Sequence, residues 1–144
     1  MAKFVATDVK TTINGVDFSD HIAAVTIDIS SDEIETTAFG TGGWRSRVAG
    51  LKDGSITLDF HQDFGTATTG GDKPVDQTVW NNFGSLATVV VTPTSGSATA
   101  TNPSYTGIYL ISQTQPIAST VGDLATMSLT WPVAGTAGIT RATS

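Results

Sequence analysis

The alternating triplet Asp59-x-His61-x-Asp63 holds the residue types in this 144-residue chain that could do chemistry. Two carboxylates and an imidazole on one strand face are a donor set for a metal ion or an acid–base pair. The spacing argues against the metal site. Consecutive same-face residues of a strand stand about 6.5 to 7 Å apart, stretched for holding one ion without further ligands. The triplet therefore reads as the hydrated polar face of a strand, with no metal or cofactor expected, and a small metal-dependent hydrolase is the least favoured reading. His21 and His61 lie far apart in sequence and in no zinc spacing. Neither a Gly-x-Ser-x-Gly nucleophile turn nor a phosphate-cradling glycine loop occurs, so no enzyme is expected.

The densest acidic run, Asp28, Asp32, Glu33 and Glu35, lacks the glycine-containing loop that calcium binding wants and reads as a solvated strand face. Trp80 and Trp131 fall on apolar faces and are expected in the core. Trp44 differs. It lies among Gly, Ser, Arg45 and Arg47, where an aromatic beside arginines reads as an interface anchor.

The elements around these residues are strands. Asn14-Gly15 between β-branched residues predicts a tight hairpin turn. Val25, Ile27 and Ile29 alternate with Thr26, Asp28 and Ser30, the pattern of a half-buried strand, and Ser31-Asp32 interrupts it as a bulge would. A polar glycine-rich loop, Gly40 to Gly54, precedes ten alternating residues, with Ile56, Leu58, Phe60 and Phe64 facing one way and Thr57, Asp59, His61 and Asp63 the other. After a loop from Gly65, Pro74 opens a short helix on which Val75, Val79, Trp80 and Phe83 share the apolar spacing. Strands follow at Leu86 to Thr92, Thr106 to Gln115 and Leu124 to Trp131, then a small polar tail expected to be flexible. This is a mainly β chain, a sandwich or barrel with one flanking helix, in a single domain over 1–144.

Composition bounds what such a domain can do. Charged residues are only 14% of the chain and the formal charge is −6, so the basic stripe of a nucleic-acid binder is missing. A weakly charged surface suits contact with copies of itself, since little charge must be desolvated. Cysteine is absent, which removes disulfides and thiolate sites. No signal-peptide pattern or membrane-length apolar run appears, so synthesis and folding in a cytoplasm, without stable membrane association, are expected.

Five phrases in order, INGVDFSDHIAAVTI, DEIETTAFG, WRSRVAGLKDGSITLDFHQDF, DQTVWNNFG and DLATMSLTWPVAG, resemble the major tail tube proteins of long-tailed, siphophage-type bacteriophages. The resemblance runs from about Thr11 to Arg141; 66–73 and 93–104 look like variable surface loops. It implies a β-sandwich or barrel-like tail tube fold. It also implies six-membered rings whose inner sheets join into one barrel, stacked into a tube that passes DNA during genome ejection. By that resemblance the 40–54 loop and the flexible terminal arms make ring-to-ring contacts, which assigns Trp44, Arg45, Arg47 and Lys52 to stacking. Asp28, Asp59, His61 and Asp63 would line the channel. The implied partners are copies of the chain, other tail proteins at the tube ends and double-stranded DNA in transient, non-specific passage; the implied location is the virion tail. A monomeric immunoglobulin-like or carbohydrate-binding sandwich on a virion or cell surface is the competing reading.

Overall fold

A computed structural model describes residues 3–65 and 74–144; the loop expected at 66–73 lies outside the described residues. In chain order the elements are β1 (Lys10–Ile13), β2 (Val16–Asp17), β3 (Ile22–Glu35), β4 (Arg47–His61), α1 (Val75–Asn81), β5 (Leu86–Thr92), β6 (Ser104–Leu110), β7 (Thr126–Pro132) and β8 (Ile139–Ala142). They form two antiparallel sheets, β2-β1-β5-β6-β8 and β3-β4-β7, with no closed barrel among the described residues. Asn14 and Gly15, at φ 51° and 83°, make the predicted turn, because its two central residues must be left-handed for Ile13 to pair with Val16.

The core lies between the sheets and follows from the period of two. Ile56, Leu58 and Phe60 of β4 pair with Trp131, Leu129 and Met127 of β7, and all six are buried. Ile13, Ala87, Val89 and Tyr109 cover them from the other sheet. Trp131 donates its Nε1 proton to the Gln113 carbonyl at 3.1 Å, so the largest core side chain is also satisfied.

Several expectations need correcting. The strand expected from Ser55 begins at Arg47, so Arg47 and Lys52 stand on β4 instead of in a loop. Gly50, Asp53 and Gly54 read locally as loop, but β3 supplies ladder partners as far as Glu35↔Arg47. The register slips between Ser31↔Lys52 and Glu33↔Ala49, where the interruption at Ser31-Asp32 predicts a bulge. At its other end β4 stops at His61, which removes Asp63 and Phe64 from the alternation and leaves Phe64 exposed.

Trp80 is 61% exposed, not in the core, and Phe83 is exposed too. The helix has seven residues and buries only Val75 and Val79, one turn apart; Trp80 sits about 100° round from Val79. The second expected strand of the C-terminal half, Thr106 to Gln115, runs from Ser104 and ends at Leu110. The tail is not a loose arm throughout, since Ile139 to Ala142 pair with β6. Near the other terminus, Asp8 accepts hydrogen bonds from the Ser95 hydroxyl at 2.6 Å and amide at 3.1 Å, which hold its carboxyl below the usual range.

Candidate assembly surfaces

The register of β3, β4 and β7 places three rows across the face turned away from the core: Ala24–Asp59–Ser128, Thr26–Thr57–Thr130 and Asp28–Ser55–Pro132. Asp28 and Asp59 therefore share one polar face. Ser128 donates its hydroxyl to Asp59 Oδ1 at 2.6 Å, and the Thr57 and Thr130 hydroxyls stand 3.1 Å apart. Such cross-strand pairs hold a wet face in order.

His61 and Asp63 do not join that face as equals. His61 occupies the last position of β4, opposite Thr126, and its Nδ1 is buried with no hydrogen-bond partner among the described residues. Asp63 has turned to other work. Its Oδ2 is 3.1 Å from His21 Nε2, its Oδ1 accepts from the Gly65 amide at 2.8 Å, and its carbonyl accepts from the Asp76 amide at 3.1 Å. His21 Nδ1 in turn lies 2.9 Å from Asp20 Oδ1. A staple thus joins the Ser19–His21 turn, the exit of β4 and the start of α1; nothing in the spacing of His21 signals it. The triplet's side chains diverge, and no group of three or more His, Cys, Asp or Glu among the described residues could hold a metal ion.

The second surface is the far half of the β3–β4 hairpin. From Glu33 to Ala49 nearly every residue is exposed, among them Ile34, Phe39, Val48 and, at 81%, Trp44. The tip is nevertheless built. The Thr36 amide donates to the Ser46 carbonyl at 2.8 Å, the Ser46 amide to Thr37 Oγ1 at 2.9 Å, and Gly42 and Gly43 turn the chain at positive φ. Arg47 Nε stands 3.6 Å from Glu33 Oε2 on the same hairpin, whereas Arg45 and Lys52 have no ion pair among the described residues. Of the four basic and aromatic residues assigned to stacking, Trp44 and Arg45 are at the tip and Arg47 and Lys52 lie along its stem.

The third surface is the pair of strand edges. β3 and β7 are the outer strands of their sheet. Under β3 the larger sheet falls short, leaving an open apolar groove lined by Val25, Ile27, Ile29, Val91 and Tyr105. At β7 the Thr130 amide donates to Gln113 Oε1 at 3.0 Å, so one edge group is already occupied by a side chain. Sequence alternation finds the apolar side of β3 but cannot reveal that it lacks full cover.

No protein-family model matches the sequence, and no curated protein matches it either. Solved structures do match. A chain from the virion of a native gene transfer agent particle covers 93% of this chain, and 95% of itself, at 17% identity and a TM-score of 0.67. The SPP1 tail tube covers 99% of this chain and 80% of its own at 14% identity and a TM-score of 0.68. A tail structure of an empty gene transfer agent particle, obtained by helical refinement with C6 symmetry, covers 86% and 82% at 18% identity and a TM-score of 0.61.

Proposed function

We propose that this chain, which has the fold found in those virion, tail and tail tube structures, is a non-enzymatic structural protein of a siphophage-type virion tail. Six copies form a ring, and stacked rings form the tube through which the genome leaves. One observation carries the proposal: the sheet β3-β4-β7 has two outer edges, an apolar groove under one of them, and a hairpin that runs beyond its own core. Joining β3 of one copy to β7 of the next removes both edges, as closing a barrel does. The C6 symmetry of one structural neighbour supports six as the number.

In that ring the polar face becomes the channel wall, with Asp28 and Asp59 toward the lumen. Duplex DNA carries about one negative charge per 1.7 Å of axis, so a basic wall would hold it and an acidic one does not. Screening confines the repulsion to about 8 Å at physiological salt, so the acids prevent sticking and do not drive transport. The hairpin tip, with Trp44 and Arg45, reaches the neighbouring ring, and Arg47 and Lys52 support it from the stem. The chain is made in the host cytoplasm, meets other tail proteins at the tube ends, and has no stable membrane association.

Negative-stain microscopy of the purified protein tests the proposal. Tubes or six-fold rings are expected; a chain that stays as small featureless particles at high concentration, as a monomeric sugar-binding sandwich would, refutes it. Asp28→Lys with Asp59→Lys is expected to leave tubes intact and slow genome release, and unchanged release kinetics would remove the wall role.

A further inference from the structure

Exposed apolar side chains gather at both ends of β4. At one end Phe39 and Trp44 face solvent at the hairpin tip, with Val48 and Leu51 exposed along the adjoining stem. At the other they belong to the 111–125 connection between β6 and β7, where Ile117, Val121 and Leu124 are exposed, and to Phe64 just past the strand. That connection is fixed to the foot of β4. The Gln62 amide donates to the Ala125 carbonyl at 2.9 Å, and Gln62 Nε2 donates to the Pro116 carbonyl at 3.1 Å. The Asp123 amide closes a turn onto the Thr120 carbonyl, with Gly122 at φ 86°, which holds Val121 at full exposure. At a rise of about 3.3 Å per residue, β4 sets the two groups roughly 50 Å apart.

Charge differs between the extreme tip, 36–46, and the foot, although Glu33 and Glu35 stand with Arg47 on the stem between them. The tip carries Arg45, with no ion pair among the described residues. The foot carries Asp20, Asp63, Asp76 and Asp123, and its segments 19–21, 62–65, 75–81 and 111–125 contain no lysine or arginine. Scattered apolar residues on a surface need no explanation, but two groups at opposite poles, one beside a cation and one among acids, are complementary.

We infer that the 111–125 connection, with Phe64, is the socket that receives the hairpin tip of a second copy of this chain in the next ring. Trp44 and Phe39 seat against Val121 and Leu124, and Arg45 faces Asp123. The inference rests on the stacked-ring reading above and adds the receiving surface to it. A contact between two different patches on opposite poles does not close on itself, so it propagates along an axis, as a tube requires.

The absence of cysteine from the chain gives a clean test. Oxidised tubes of a Trp44→Cys, Val121→Cys double variant are expected to give a ladder of cross-linked chains extending beyond six copies on a non-reducing gel, absent from either single variant. Well-formed tubes without the ladder overturn the socket. A charge swap covers the case in which the cysteine variant does not assemble: Arg45→Asp is expected to abolish tubes, and adding Asp123→Arg to restore them. Tubes lost in Trp44→Ser but normal in Val121→Asp with Leu124→Asp refute the socket and leave stacking by the tip standing. Normal tubes in both refute tip-mediated stacking itself.

Discussion

The two halves of the β3–β4 hairpin are one continuous ladder, yet they live in different environments. In the near half, Ile56 and Leu58 are buried between β7 and the larger sheet. In the far half, the Ile34↔Val48 pair is equally aliphatic and is exposed on both strands. The near half rests on the core of its own chain, and the far half has no such cover. The bulge between Ser31 and Glu33 marks the change, and Gly54, opposite Ile29, lies just on the near side. A strand pair can be fully hydrogen-bonded along its length while only half of it has a core to rest on.

The contrast is broken most strongly from the near side. Trp131→Ala removes the largest fully buried side chain and strands the Gln113 carbonyl, which should cost about 3–5 kcal/mol. Thermal or urea unfolding reads this, and a loss under 1 kcal/mol would mean that the core collapses around the gap. Gly54→Ala is the next test. A Cβ there would stand 2.8 Å from Ile139 Cδ1 and 3.1 Å from the Asp28 carbonyl, so a loss of about 1–3 kcal/mol is expected. Trimming the obstacle with Ile139→Val in the same chain should recover much of it; no recovery would place the strain in the backbone.

The smallest effect on the single chain should come from the far half. Ile34→Thr with Val48→Thr changes only exposed positions, so monomer stability should move by no more than about 0.5 kcal/mol. Tube length by microscopy should fall sharply in the same variant. A destabilised monomer would show that the far half already contributes to the fold, and unaltered tubes would show that it contributes to nothing.

Much of this was legible in the residues. Asn14-Gly15 specified its turn because left-handed backbone is demanded there, and the Ser31-Asp32 break marked the place of the bulge, although the extra residue lies on β4, where Gly50 and Leu51 oppose Asp32. The shared face of Asp28 and Asp59 likewise follows from alternation once the strands pair. The start of β4 at Arg47 was hidden by Gly50, Asp53 and Gly54, whose turn chemistry is overridden by ladder bonds to β3. Strand β8 was hidden because four residues carry too little periodicity to stand out from a polar tail. Trp80 was misplaced because a seven-residue helix offers one buried stripe and the sequence does not say how wide it is.

For the candidate surfaces, the sequence by itself determined the sidedness of each strand and the basic, aromatic character of the hairpin tip. Those properties are set by neighbours two positions apart, and the chain cannot adopt a strand without expressing them. Only the tertiary structure decided that Asp59 stays on the open face while Asp63 binds His21, and that the apolar side of β3 overhangs its cover. It also decided that the far hairpin stands away from the core. Each of these depends on where a strand stops and what lies across from it, and those are contacts between residues tens of positions apart that no local pattern records.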